Sequence, residues 1–187
     1  PPALKAMAPF ITTDQYYDRW TYQGGAFQLG FMLQWASSTF AVGEVVRRLG
    51  RGEAQSADLG EAVATADAVA RNYAHLPLTD MPGLADLAPY YRDWLAHPSY
   101  DDYWRAAAPC EHYAQITTPA LSFGGWYDLF LGGTLANYVG MKARGGSELA
   151  RRHQRLVIGP WVHGYNGGVY PERNFGLMAM DAVADVT

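Results

Sequence analysis

The spacing of apolar positions changes twice along the chain, and each change marks a different kind of structure. The opening residues, Pro1-Pro2-Ala3-Leu4-Lys5-Ala6-Met7-Ala8-Pro9-Phe10, form a short apolar run that predicts a buried strand entered abruptly. Helix-start chemistry follows at Thr12, Thr13 and Asp14, and Gly24-Gly25 breaks the chain before a longer periodic segment. There Phe27, Phe31, Trp35, Val42, Val46 and Leu49 fall near helical spacing, with Gly50 as a stop. A second helix is expected from Asp58, which stands at capping-box spacing from Glu61. Leu59, Val63, Ala66, Ala70 and Tyr73 would be its buried stripe, and Pro77 would close it. A short helix over Tyr90 to Ala96 ends before Pro98, and Asp101-Asp102 favour one more helix start, carrying Tyr103 and Trp104 inward. No strand is expected from about Asp14 to Ala108.

The pattern then returns to that of a sheet. Pro119-Ala120-Leu121-Ser122-Phe123 is an apolar run, Gly132 to Arg144 reads as a helix closed by Gly145-Gly146, and Arg155-Leu156-Val157-Ile158 is the next run. Strand, helix and strand in that order make a crossover unit with parallel neighbours. The predicted fold class is α/β: parallel strands with a crossover helix, carrying a large all-helical cap insertion. The expected division is a core strand over residues 1–12, a helical cap over 13–108, and a return to the core over 109–187. Insertions of this kind sit over the C-terminal ends of the strands, where open α/β sheets place ligands.

Composition narrows the classes. With 187 residues and 49% hydrophobic content the chain can bury a sizeable core. Its net charge of −4, with Lys and Arg scattered, gives no electrostatic footprint for nucleic acid. No apolar stretch approaches the ~20 residues of a membrane-spanning helix. Cys110 is the only cysteine, which rules out an internal disulfide and leaves the compartment open. Aromatic residues make up 14%, enough for a thick core or for a pocket that takes flat organic groups. His75, His97, His112, His153 and His163 show no metal-ligand spacing, and the glycine pairs match no phosphate-binding pattern, so no metal and no cofactor is expected.

Two motifs carry the chemistry. Gly125-Trp126-Tyr127-Asp128 and Gly159-Pro160-Trp161-Val162-His163 each end an apolar run in a residue that can serve a catalytic triad, acid before histidine, as in α/β-hydrolases. A serine hydroxyl attacks only when a neutral imidazole takes its proton, and an ionised Asp holds that imidazole in one tautomer. On this reading His163 is the base and Asp128 orients it. The plainer reading is a strand-end Asp capping the next helix beside a surface His. Ser37, Ser38, Ser56, Ser99, Ser122 and Ser147 are the serines, and none lies in the Gly-x-Ser-x-Gly-like elbow the nucleophile needs. The expectation is therefore a fragment that begins downstream of its nucleophile.

These motifs give the chain a family resemblance. The Pro2-to-Pro9 run, Trp20-Thr21-Tyr22-Gln23-Gly24-Gly25-Ala26-Phe27 continuing to Trp35, His97-Pro98-Ser99-Tyr100-Asp101-Asp102-Tyr103-Trp104, and the two motifs above follow one another as in the middle part of the cocaine-esterase/X-Pro dipeptidyl-peptidase family. That family of serine hydrolases also holds beta-lactam acylases and α-amino acid ester hydrolases. The resemblance implies that the α/β architecture is a partial α/β-hydrolase fold, that Asp128 and His163 are catalytic, and that Trp20, Trp35 and Phe130 line the acyl or aromatic part of the site. Aromatics that only pack cap on sheet are an equal alternative for those three. The family's oxyanion-hole groups, an upstream Tyr and the N–H after the nucleophile, have no counterpart here. Family members that hold a substrate ammonium resemble one another in an acidic pair after the triad Asp, whereas here Leu129-Phe130-Leu131 follows, which favours apolar or aromatic acyl groups. The expected partner is thus a small-molecule ester or amide, with no nucleic acid or membrane, together with self-association through an unpaired sheet edge or docking on the rest of the hydrolase. A non-catalytic binding module built on the aromatic helical cap is the alternative function.

Overall fold

The computed structural model describes residues 3–180. Pro1 and Pro2, which begin the expected opening strand, and residues 181–187 at the end of the returning segment lie outside the described residues. The chain forms two compact units, Pro1–Trp20 together with Asp101–Thr187, and Thr21–Tyr100. Residues 13–20 and 101–108 thus pack with the sheet rather than with the helices of 21–100.

The sheet unit is built on two parallel strands, Leu121–Tyr127 and Arg155–Val162, in register from Leu121 opposite Arg155 to Gly125 opposite Gly159. The register then shifts, and Tyr127 lies opposite Val162. The opening segment pairs with the other edge of Leu121–Tyr127. Met7 N donates to Pro119 O (3.1 Å), Leu121 N to Met7 O (2.9 Å), Phe123 N to Pro9 O (2.9 Å) and Ile11 N to Phe123 O (3.0 Å). This parallel contact runs over residues 7–11, later than the expected Pro2–Pro9, and consists of isolated bridges at Met7 and Phe10. Pro9, within this stretch, has no N–H to give to a regular ladder.

The crossover is made by the helices Leu131–Arg144 and Glu148–Arg152, the second capped by Ser147 Oγ, which accepts from Ala150 N at 2.9 Å. Glycine lets the longer helix approach its neighbours closely. A Cβ on Gly133 would run into the backbone and side chain of Thr13, and one on Gly140 into the ring of Tyr113. Thr134, buried beside Gly133, donates its hydroxyl to Thr12 O at 2.9 Å and ties the helix to the opening segment. Of the pair expected to turn inward at the Asp101 cap, Trp104 is buried, whereas Tyr103 stays exposed against the edge of the Trp104 ring.

The unit Thr21–Tyr100 is helical apart from a two-residue hairpin, Tyr22–Gln23 with Ala26–Phe27, in a region where no strand was expected. Gly24 and Gly25 both take positive φ, 57° and 83°, which is the demand of the tight turns that close such hairpins. The periodic segment then runs as one rod from Leu29 to Gly50, in which Ala36–Ala41 forms a π-helical turn between Leu29–Trp35 and Val42–Gly50. Ser37 and Ser38 donate to the carbonyls of Leu33 and Gln34, four residues back.

The next helix is Ser56–Asp67, starting two residues before the expected Asp58, because Gln55 acts as the N-cap and Asp58 is its box partner, accepting from Gln55 N at 2.7 Å. Its buried residues are Ala62 and Ala66; Val63 and Tyr73, expected inside, are exposed. Tyr73 lies past a break at Ala68, where ψ is 44° and the remaining turns, Val69–Ala74, take a new direction that buries Asn72. Its side-chain amide donates to Thr65 O at 2.7 Å across that break. Helix Tyr90–Ala96 falls where the sequence puts it, with Tyr91 and Trp94 buried. No helix among the described residues is long and apolar enough to cross a membrane.

Candidate active site

The two motifs meet at the ends of the paired strands. Gly125 and Gly159 face each other in the register, and both are small because Trp161 occupies their space. A Cβ on Gly159 would enter the Trp161 indole, and a Cβ on Gly125 would lie 2.7 Å from the Trp161 carbonyl carbon and nearer still to its oxygen. The indole is 2% exposed, and its Nε1 donates to Ala179 O at 2.7 Å. Trp161 is therefore the packing element that brings the strand ends together, with glycine as the condition for its fit.

Past the Leu121–Tyr127 strand the chain turns at once, Asp128 N donating to Gly125 O at 3.1 Å. The Asp128 side chain is 1% exposed, and its Oδ1 accepts from Phe130 N at 2.6 Å. Burial of a carboxylate is tolerable when it accepts such bonds. Past the Arg155–Val162 strand, Tyr165 N reaches back to Val162 O at 3.4 Å, and Gly164 takes φ of 79° in the turn between them. Only glycine adopts that conformation without strain, and the turn holds His163 at its apex, the side chain 42% exposed.

Nδ1 of His163 lies 3.3 Å from both oxygens of Asp128. Asp128 is the only hydrogen-bond partner of that ring among the described residues. Asp128 also braces the turn into helix Leu131–Arg144 through Phe130 N, while that helix has no side-chain cap, so one carboxylate both fixes the turn and meets the histidine. An imidazole donating Nδ1–H to a buried carboxylate is fixed in one tautomer, with Nε2 on the opposite side of the ring as the proton acceptor.

Aromatic edges continue from the histidine. Phe130, 6% exposed, meets the His163 ring edge-on at 5.5 Å between centroids. Tyr16 stands at 6.4 Å from Phe130 and 5.3 Å from Trp20, edge-on to each. Phe130 thus meets the histidine directly, and Trp20 is linked to it through Tyr16, a residue without a motif that the sequence did not single out. Its segment is pinned by the ion pair of Arg19 Nε with Asp14 Oδ1 at 2.9 Å. Trp35 belongs to the other compact unit, where it lies between Phe31 (5.4 Å) and Phe40 (4.9 Å) at the start of the π-helical turn.

Four of the six serines are engaged elsewhere. Ser122 is buried within the sheet strand, Ser147 caps its helix while donating to Thr117 O, and Ser37 and Ser38 bond to helical carbonyls. Among the described residues no group of three or more His, Cys, Asp or Glu is arranged to hold a metal ion.

Comparison with known proteins gives the chain its family. The family described as X-Pro dipeptidyl-peptidase (S15 family) matches residues 1–165. The cocaine esterase of Rhodococcus sp. (strain MB1 Bresler) is 32% identical over 186 residues, which cover 98% of this chain and 31% of that protein. An aminopeptidase from the marine sediment archaeon Thaumarchaeota archaeon, known from its crystal structure, shares the fold with a TM-score of 0.53 at 24% identity, over 87% of this chain and 25% of that one. The chain spans 31% of the length of the esterase and 25% of that of the aminopeptidase. Matched over residues 1–165 and built on parallel strands joined by a crossover helix, the chain belongs to the X-Pro dipeptidyl-peptidase (S15) family of hydrolases, related to cocaine esterase.

Proposed function

We propose that this chain carries the acid and base of a Ser-His-Asp triad, Asp128 and His163, in a serine hydrolase whose nucleophile lies N-terminal to Pro1. The observation that carries the reading is the placement of His163 Nδ1 at 3.3 Å from both oxygens of a carboxylate that is 1% exposed, at the C-terminal ends of adjacent parallel strands. In the reaction Nε2 takes the proton of the serine hydroxyl as its oxygen attacks the substrate carbonyl. The imidazolium formed is stabilised by Asp128 and then protonates the leaving alcohol or amine. Water repeats the cycle on the acyl-enzyme. A separation of 3.3 Å is longer than the ~2.7–2.9 Å of a charge-assisted bond, and the contact tightens when the ring becomes charged.

The substrates we infer are esters or amides with apolar or aromatic acyl groups. Leu129-Phe130-Leu131 follows the acid with no carboxylate to receive a free amine, and Trp20, Tyr16 and Phe130 make an apolar flank to the histidine. By itself the 187-residue chain has no triad-dependent turnover, because nucleophile and oxyanion hole lie outside it. The test is aryl-ester hydrolysis by the protein extended through its upstream segment. Asp128→Asn and His163→Ala should each lower kcat about 10⁴-fold. Near-normal turnover in either folded variant refutes the assignment.

A further inference from the structure

We propose that the cavity of about 440 Å³ within the helical unit is a second ligand site, one that takes a small organic cation with an apolar body. It opens between the helices Val42–Gly50 and Ser56–Asp67 and the short turn Leu84–Leu87, all of them within residues 21–100. Its volume falls in the range of small-molecule sites, about 300–1,000 Å³. The floor is apolar and buried, made by Ala41, Val45, Ala62 and Leu84. Small side chains stand where larger ones would close the gap, so the helices pack around a space instead of filling it.

The rim decides the charge of the occupant. Four carboxylates line the cavity, from Glu53, Asp58, Glu61 and Asp86, against the single guanidinium of Arg48. Two of the acids are already answered. Arg48 holds Asp86 with both terminal nitrogens, at 2.6 and 3.2 Å, and Arg51 holds Glu53 at 2.8 Å. Asp58 and Glu61 have no ion-pair partner among the described residues, and they stand one turn apart on the same helix wall. Asp58 accepts one backbone bond from Gln55, while the Glu61 carboxylate has no hydrogen-bond or ion-pair partner among the described residues and is the primary anchor for an ammonium group. The four carboxylates outnumber the one guanidinium at the rim, and Glu61, exposed there, is within reach of an ammonium group whose apolar body sits on the buried floor.

Occupancy also reaches the π-helical turn, because Ser37 and Ala41 face the cavity while Trp35 and Phe40 flank or share that turn. The site lies wholly in one unit and needs neither nucleophile nor triad. Its test therefore stands or falls separately from the hydrolase reading.

Three probes of one shape distinguish the alternatives on the 187-residue chain: 2-phenylethylammonium, 2-phenylethanol and 3-phenylpropionate, titrated by calorimetry and by amide chemical shifts. The cation should bind saturably, with at least about tenfold preference over the other two and shifts confined to residues 37–87. Glu61→Lys, a rim change that spares the fold, should abolish the preference, and Ala62→Phe should block the floor. Phe130→Ala should leave binding intact. Equal affinity for the three probes, no saturation by about 10 mM, indifference to Glu61→Lys, or loss of binding in Phe130→Ala would each overturn the proposal.

Discussion

Gly125→Ala adds one methyl group at the point where the acid and histidine strands come closest. The new Cβ would lie 2.7 Å from the Trp161 carbonyl carbon and 3.1 Å from the Trp161 Cβ, where ordinary contacts run at ~3.5–4 Å. Backbone opposes it, so no flexible side chain can swing aside. The φ of Gly125 is not positive, which leaves the clash as the whole effect. Overpacking of this kind costs roughly 1–3 kcal/mol. For a chain of this size that corresponds to a fall in Tm of about 5–10 °C at the upper end. Relief requires the strands to part by somewhat less than an ångström, by the same contact distances. That motion falls on Asp128 and His163, which stand three and two residues beyond the opposed atoms and are 3.3 Å apart. Thermal unfolding should show the loss of stability, and the Nδ1–H resonance of His163 should move upfield as its bond to Asp128 lengthens. Gly60→Ala is the control: nothing lies within 4 Å of a Cβ there, so this mid-helix change should stabilise by about 0.5–1 kcal/mol. A Gly125→Ala chain with unchanged Tm and an unchanged His163 signal would refute the reasoning.

Other expectations follow from burial and exposure. Tyr91 is fully buried, its hydroxyl has no hydrogen-bond partner among the described residues, and burial pushes its phenol up to about 12. Tyr91→Phe should therefore leave Tm equal or raise it, by about 1 kcal/mol. The raised folded value means that Tyr91 favours the fold fully below pH ~10 and loses this as pH climbs to 12, a loss of roughly 2 kcal/mol that the Phe variant escapes, so its alkaline unfolding midpoint should be higher; an unchanged midpoint contradicts it. Trp35→Ala in the extended protein should change the ratio of kcat/KM between aromatic and acetyl esters by about tenfold, and a loss of stability at constant ratio would assign Trp35 to packing alone. Leu135, Val139, Leu149 and Trp126 are exposed on the sheet unit, and Arg155–Val162 is paired along one edge, so the chain should self-associate at micromolar concentration. A single monomeric species in light scattering would count against this.

The sequence told most where periodicity was sustained or a motif ended an apolar run. Leu121–Tyr127, Leu131–Arg144 and Arg155–Val162 appear in the expected order, and Asp128 and His163 fall beyond the strands that present them. Helix Tyr90–Ala96 was bounded by Pro89 and Pro98, which restrict the backbone whatever the tertiary context. Less was legible where a few residues decide the outcome. The Gly24-Gly25 hairpin has strands of two residues, too short for any alternation to show. Gln55 took the capping role that spacing assigned to Asp58, since a box can be built from either end by side chains of similar reach. The break at Ala68 has no Gly or Pro to announce it, and it redirects the turns that carry Tyr73. Tyr16 gave no signal because its role beside Phe130 arises from tertiary proximity alone. Gly125 and Gly159 were visible as motif residues, but the reason for them, the seat of Trp161, needed three dimensions.

The central claim is that Asp128 and His163 activate a serine encoded before Pro1. Its most direct test is labelling of the upstream-extended protein with a fluorophosphonate, followed by mapping of the modified peptide in wild-type and His163→Ala protein. Modification of one serine N-terminal to Pro1, lost in His163→Ala, is the expected result. Well-folded protein that takes no label, or that labels equally without His163, would contradict the account.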